Sequence, residues 1–531
     1  MCPGYAMYLH RPAYLIMGRT SVLVAAMFFA FVLAAQAQES IEEVALPPWS
    51  EPTLPSSEPA PSTQAVSLPS APEQPAPEPV SSAPEPLPST PVEPLPSSSE
   101  PLPSSEQAFP SLHGPLSIST PNYNTGYTEV VPAPVATGPY GGSYNAFPAG
   151  DTVYSSEPRR FHYVLRLTVR GVWDDNIFLR HTNKVSDYYF AIEPSITLGW
   201  GDMEGRSSAY LRLDYMPSAI LFVDHSDEDA FNQYIHLEGG FGSGRLTLSL
   251  SQDIAILDSA NLNSFYDTTG LWANTDASTP TRMNIFYTRL RANYELTGKT
   301  WLSAEFDSPT YFYPNNISNY TISGGLYLNY NWLPKLSVGI GGTFGYTWVD
   351  DPTTNQSFEQ INLRLNYEVT AKLNLYASGG VEFRQFDGNR DTYDSPVFEV
   401  GLAYHPFDGM NISLAAGRRI YPSGYVDNQD FGTTYVAVRF QQRLFQRLYF
   451  GLGGGYEHSN YISTDRDVSA TRDDDYWFIE PSLDVLITRW LSAGVYYLHR
   501  EQSSNDNGAP GGQNFFNWND NQVGVRATLR F

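Results

Sequence analysis

The sequence predicts an all-β protein: a transmembrane, antiparallel, up-and-down outer-membrane β-barrel of about eighteen strands, with sixteen as the neighbouring even count, preceded by a disordered tail. Three observations predict it. Polarity alternates with a period of two from Phe161 to the last residue, the pattern of a strand with unlike faces. The connections between alternating stretches are by turns short and long, as in a barrel with tight turns on one rim and loops on the other. After an apolar N-terminal segment, no further apolar run has helical spanning length, so helices are not what would hold the chain in a membrane.

The elements follow in chain order. Residues 1–37 read as a cleaved signal peptide: an apolar stretch of 15 residues, Ser21 to Ala35, preceded by Arg11 and Arg19 and followed by the small-x-small pattern Ala35-Gln36-Ala37. The one cysteine, Cys2, lies inside that segment, so the exported chain is expected to have neither a disulfide framework nor a cysteine metal site. Residues 38–110 hold 20 of the 41 prolines and 11 acidic residues without a Lys or Arg. Such a Pro/Ser/Glu-rich segment cannot bury enough apolar surface to offset its ordering entropy and is expected to be disordered, with polyproline II character. It is either a solvated spacer or a tether to the cell wall. Residues 111–160, with NYNTGY and GPYGGSYN, continue as a flexible linker, and 161–531 form the barrel. The whole chain carries 31 Lys and Arg against 56 Asp and Glu, net −25, which excludes the phosphate-neutralising surface of a nucleic-acid binder.

Within the barrel, strands are expected to start near residues 161, 187, 208, 230, 244, 283, 301, 319, 335, 357, 372, 396, 410, 431, 447, 476, 489 and 519. The short connections lie near 201–207, 241–244, 297–300, 332–335, 369–372, 405–410, 441–446 and 487–489. The mostly longer ones, near 174–186, 224–229, 256–282, 311–318, 350–356, 387–395, 422–430, 459–475 and 501–518, are rich in Asp, Asn, Ser and Gly. A weak repeat marks the hairpin as the unit. After most short turns comes a polar residue, an aliphatic anchor and then alternating small residues, with anchors at Leu246, Leu302, Leu336, Leu373, Ile412, Leu448 and Leu491. Lys299, Lys335, Lys372, Arg447 and Arg489 are expected at the short-turn rim. Trp200, Trp301, Trp332, Trp348 and Trp490 are expected in aromatic girdles.

One face of each strand is apolar. The opposite face places Arg166, Arg170, Arg212, Asp214, Arg289, Arg291, Glu295, Arg364, Glu368 and Arg439 inward, as candidate pore-lining residues. Eighteen strands leave an aqueous lumen unless something plugs it. A wall with this excess of Arg favours anionic or polyhydroxylated solutes, and loop 256–282 would narrow the channel by folding inward. Pro194 and Pro481 fall mid-strand on the outward register, where each removes a ladder donor.

The chain ends Val523-Gly-Val-Arg-Ala-Thr-Leu-Arg-Phe531, an alternating strand with a terminal aromatic residue. That ending resembles the C-terminal assembly signal of outer-membrane proteins, with Phe531 closing the last strand and Leu529, Ala527 and Val525 on its face. Together with RGVWDDNIFL at 170–179 as the first strand, FAIEPSITLGW at 190 and FIEPSLDVLITRWLSAGVYYLHREQSSND at 478, the pattern over about 160–531 resembles the β-barrel porins of Gram-negative bacteria. The resemblance implies an outer-membrane barrel without implying a known substrate, and the Pro-rich tail lies outside it. It also implies the outer-membrane lipids and assembly machinery as partners.

For catalysis, His162, His181, His225, His236, His405, His458 and His499, with His113 upstream, are scattered and fall in no HExxH or GxSxG pattern. The acidic loops at Asp174-Asp175, Asp350-Asp351 and Asp473 to Asp475 lack the spacing of a dedicated Ca²⁺ loop and read as a solvated rim. The expectation is therefore no enzyme, no catalytic or metal site and no cofactor. The first expected role is a channel for diffusion of small hydrophilic solutes. The second is a structural or polysaccharide-export-associated barrel tethered to the envelope by its tail.

Overall fold

In the computed structural model, residues 161–201, 209–259, 282–388, 392–407, 409–505 and 515–531 are described, without the side chain of His162. The expectations for the signal peptide, the Pro-rich segment, the linker and the inward folding of loop 256–282 concern residues largely or wholly outside this set. No described helix is long and apolar enough to cross a membrane.

Eighteen strands follow one another: β1 (Phe161–Asp174), β2 (Asp187–Gly201), β3 (Ala209–Phe222), β4 (Ala230–Ser243), β5 (Leu246–Leu257) and β6 (Met283–Thr297). Next come β7 (Thr300–Phe312), β8 (Asn319–Leu333), β9 (Leu336–Val349), β10 (Gln356–Thr370), β11 (Leu373–Phe386) and β12 (Tyr393–Tyr404). The last six are β13 (Met410–Pro422), β14 (Gln429–Leu444), β15 (Leu448–Ser463), β16 (Asp473–Leu486), β17 (Leu491–Ser504) and β18 (Trp518–Arg530). Each strand pairs antiparallel with its chain neighbours, and β18 returns to β1, so the sheet closes on itself. Closure removes the free edges that an open sheet of this size would expose. The last bonds of the seam are made by the terminal residue, whose N–H donates to the Leu165 carbonyl at 2.8 Å and whose carbonyl accepts from the Leu165 N–H at 3.2 Å.

No strand start is displaced by more than a few residues from the periodicity reading, because the period of two needs only local sequence to be visible. Burial alternates along the strands in the sense opposite to a soluble protein. In β10, Ile361 and Leu363 are each 62% exposed while Asn362 and Arg364, which alternate with them, are buried. A belt of Leu, Ile, Val and aromatic side chains turned outward, over a closed wall whose polar groups are covered, requires an apolar surrounding medium. The barrel spans a membrane. All seven repeat anchors, Leu246 to Leu491, stand at short-turn strand ends on this outward register and are half-buried. Trp332, Trp490 and Phe531 are exposed at the same rim, where ring faces meet the boundary between hydrocarbon and water.

Three local readings are corrected. Trp301 is not in the outer girdle: it is buried against Tyr376 inside the barrel, because it stands opposite Glu295 on the inward register, beside the irregularity between Glu295 and Thr297. The first strand does not run to Leu179 but stops at Asp174. The acidic loop ends are not all solvated, since Asp174 and Asp474 are fully buried.

Pro194 and Pro481 keep the expected outward register, and each breaks the ladder on one side only. β1 pairs through Leu167 and Pro194, and β15 through Leu452 and Pro481. The β2–β3 pairing instead skips from Ile192 to Ile196, and the β16–β17 pairing skips from Ile479 to Ser482. A missing donor costs the strand it would have faced and leaves the other ladder whole.

Inside the wall, several bulky side chains lie over a glycine directly opposite on the neighbouring strand. Tyr210 faces Gly240, Tyr327 faces Gly341, Phe358 faces Gly345, Tyr435 faces Gly417 and Tyr496 faces Gly524. At Gly524 a Cβ would come within 2.2 Å of the Tyr496 ring, so glycine there makes room for the ring.

Candidate functional site: the barrel lumen

The inward register of the eighteen strands is polar, and its charged side chains are paired, mostly across strands and in places two residues apart on one strand. Arg170 on β1 grips Glu193 on β2 through two nitrogens, at 3.1 and 2.7 Å, and also donates to the Tyr496 hydroxyl at 3.2 Å. Ser218 donates to the same Glu193 at 3.2 Å. Arg212 donates to Asp214 at 2.7 Å, and Asp214 also accepts from Thr197 at 2.5 Å. Arg289 donates to Asp253 at 2.8 Å, where Tyr234 donates at 2.7 Å and the His236 ring nitrogen lies at 2.6 Å. Arg291 forks onto Asp307 with both contacts at 3.1 Å. Arg364 binds Glu305 at 2.7 Å and sits over the Tyr327 ring, 3.2 Å from its centroid. Buried charges persist because each guanidinium meets a carboxylate and further hydrogen bonds satisfy what remains.

The remaining candidate residues are placed as follows. Arg166 stands on the inward register of β1, opposite Arg530 of β18 and Ser195 of β2. Arg439 is buried, opposite Gly453. Glu295 and Glu368 lie near the short-turn rim, where Glu368 accepts from Lys335 at 3.3 Å. Leu529 is outward, and Phe531 is 70% exposed.

The expected excess of arginine is overturned. The lumen also receives Glu193, Asp253, Glu305, Asp307, Glu382, Glu399, Asp430, Asp484 and Asp520, and the arginines are spent on them. Arg384 holds Glu382 at 2.7 Å and Asp430 at 3.1 Å, Arg419 holds Glu399 at 3.0 Å, Arg526 holds Asp484 at 2.6 Å and Arg500 holds Asp520 at 2.9 Å. The sequence shows these acids but mostly not their partners, because all of these pairs except Arg384–Glu382 join residues on different strands and depend on register.

The lumen is not evenly open. Loop 175–186, between β1 and β2, turns into the barrel. Ile177 packs among Val172, Tyr189, Ala191, Ile220, Phe222 and Tyr496. Leu179, 2% exposed, packs among Ala415, Tyr435, Ala437, Tyr476, Phe478 and Trp518. One loop thereby touches the inner walls of β1 to β4 on one side and of β13, β14, β16 and β18 on the other. Its hub is Asn176, whose amide donates to the carbonyls of Arg180 and Asn519, both at 2.8 Å, and whose oxygen accepts the Arg180 N–H at 2.9 Å. Leu179 adopts φ +50° and Asn183 φ +53°. A leucine in the left-handed region is strained, and such strain persists only where packing over-determines it.

At the long-loop end the other loops are laced together. The Ile317 N–H donates to the Gly424 carbonyl at 2.9 Å, the Asn428 N–H to the Thr353 hydroxyl at 2.8 Å and the Thr464 N–H to the Asn428 carbonyl at 2.8 Å. Tyr425 stacks on Phe515 and meets Phe516 edge-on, and Arg472 covers Phe516 at 3.4 Å.

Free volume remains on the opposite side, as a cavity of about 270 Å³ against the inner walls of β6 to β13. The described histidine side chains do not converge there: His225 lies 2.9 Å from Asp187, His458 2.9 Å from Asp475, and His405 and His499 contact asparagines. Asp174, Asp175 and Asp520 bring carboxylate oxygens within 4.8 Å of one another, where they accept hydrogen bonds from Asn176, Gln522, Asn521 and Arg500.

No known family and no curated protein matches the sequence. Among solved structures, the barrel is similar to Pseudomonas aeruginosa OpdK, solved with vanillate, at 12% identity, covering 70% of this chain and 99% of that chain with a TM-score of 0.36. It is similar to Acinetobacter baumannii OccAB3 at 12% identity, with 70% and 99% covered and a TM-score of 0.36. For Pseudomonas aeruginosa OccK3, also called OpdO, the identity is 11%, with 70% and 95% covered and a TM-score of 0.36.

Proposed function

We propose that this chain is an outer-membrane, porin-like channel for the diffusion of small hydrophilic solutes. The observation that carries the reading is a closed eighteen-stranded wall, apolar outside and polar inside, with about 270 Å³ of free space left in its lumen across from an inward-folded loop. The candidate pore-lining residues act in this reading as a solvated, hydrogen-bonding wall. Phe531 and Leu529 serve as the signal read by the outer-membrane assembly machinery, and a cleaved signal peptide delivers the chain. The test is reconstitution of the purified full chain in planar bilayers. Discrete conductance steps are expected, and an electrically silent barrel would remove the channel reading.

A second reading is favoured by the same inward loop. A lumen entered by a loop with packed apolar side chains suits a structural or polysaccharide-export-associated barrel held to the cell wall through residues 38–110. Deleting those residues separates the two: loss of envelope attachment or export with unchanged solute uptake supports the second.

A further inference from the structure

We infer that the lumen cavity between β6 and β13 is a binding site for a neutral polyhydroxylated solute of about one sugar ring, and that the channel discriminates against both anions and cations of that size. The inference deepens the channel reading and rests on it.

Four observations lead there. Of the five arginines that line the cavity, Arg291, Arg364, Arg384 and Arg419 each already hold a carboxylate of the same wall, Asp307, Glu305, Glu382 and Glu399 respectively, and Arg418 donates to the hydroxyls of Ser395 and Thr434 and to the Asn460 amide oxygen. An incoming anion would have to compete with a fixed carboxylate and lie against it, and an incoming cation would meet the guanidinium. Juxtaposed like charges are costly where water is scarce. A paired guanidinium still offers N–H groups, and a paired carboxylate still offers lone pairs. Arg419 Nη1 is buried without a hydrogen-bond partner among the described residues. Hydroxyl groups, which both donate and accept, are the ligand atoms that use both sides of such pairs.

Second, the stretch of wall between the charged strands β7 and β10 is uncharged. β8 and β9 bring only Asn, Thr, Ser, Gly, Tyr and Val to the inward register, and Thr321, Ser323 and Thr343 line the cavity. Third, the lining alternates these groups with Tyr287, Tyr311, Tyr376 and Tyr421, whose rings supply apolar surface for the C–H faces of a sugar and whose hydroxyls reach its oxygens. Fourth, the volume of about 270 Å³ lies near the low end of ligand sites, roughly 300 Å³. It suits one ring rather than a chain.

The experiment uses the full chain in proteoliposomes and compares entry of glucose, gluconate and glucosamine, which are close in size and differ in charge. Glucose is expected to enter several-fold faster than either ion, and to reduce the ion current in planar bilayers in a saturable way. Two variants then break the charge balance by one atom each: Glu399→Gln releases Arg419, and Asp307→Asn leaves Arg291 only its longer carboxylate contact, with Glu305 at 3.9 Å. In either, provided that heat-modifiable gel migration shows a folded barrel, gluconate entry is expected to rise several-fold relative to glucose. Equal entry of all three, or faster entry of gluconate by the unaltered chain, would overturn the inference and leave the channel reading standing. No entry of any solute together with no conductance would remove the channel reading itself.

Discussion

At the scale of single residues, the paired charges of the lumen decide stability. Removing one partner of a buried pair leaves the other uncompensated, at a cost of about 3–5 kcal/mol. Arg170→Ala strands Glu193, which also receives Ser218. The expected outcome is a barrel that unfolds at clearly lower urea concentration in lipid vesicles, whereas Arg170→Ala with Glu193→Gln recovers part of the loss. An unchanged midpoint would show that water, not Arg170, satisfies Glu193. The individual inward arginines were legible from the alternation of polarity. Asp214, two residues from Arg212, was legible with them, but most carboxylate partners were not, because Arg364 and Glu305 are far apart in sequence and become neighbours in the lumen only when two other strands stand between them in the right stagger.

At the scale of elements, two features invite measurement. The ring-over-glycine pairs fix neighbouring strands against sliding, since a slipped register would put the ring over a side chain. Gly524→Val is expected to cost about 1–3 kcal/mol, the range for overpacking. Combining it with Tyr496→Ala should cost less than the sum of the two single changes, read as a coupling energy in a double-mutant cycle; strict additivity would mean that the ring does not pack on Gly524. The second element is loop 175–186. Replacing 176–185 with a short Gly-Ser linker removes Ile177 and Leu179 from the lumen and is expected to raise single-channel conductance. If conductance stays the same, the loop is not what narrows the passage. The loop's composition gave part of this away, since Ile177, Phe178 and Leu179 are apolar in a stretch otherwise rich in polar residues. They read instead as the end of the first strand, because a short apolar run has no period that separates a strand from a buried loop.

At the scale of the whole molecule, the medium is part of the structure. Leu363 stands at the middle of β10, outward and exposed, where an arginine at the bilayer midplane costs about 2–4 kcal/mol. Leu363→Arg is therefore expected to lower the yield of heat-modifiable, membrane-inserted protein, whereas Leu363→Val leaves it nearly unchanged. Equal yields would argue against a hydrocarbon environment at that height.

Alternation of polarity, turn chemistry and the rhythm of short and long connections determined the strand number, the strand boundaries within a few residues and which side of the wall meets lipid. Each of these is set by local sequence: side chains two residues apart share a face whatever the chain does elsewhere. The tertiary structure alone decided which charges neutralise one another, which loop enters the lumen, where Trp301 points and where free volume survives. Those outcomes depend on the stagger between strands and on contacts across the closed cylinder, and nothing in a run of neighbouring residues encodes a distance measured through its interior.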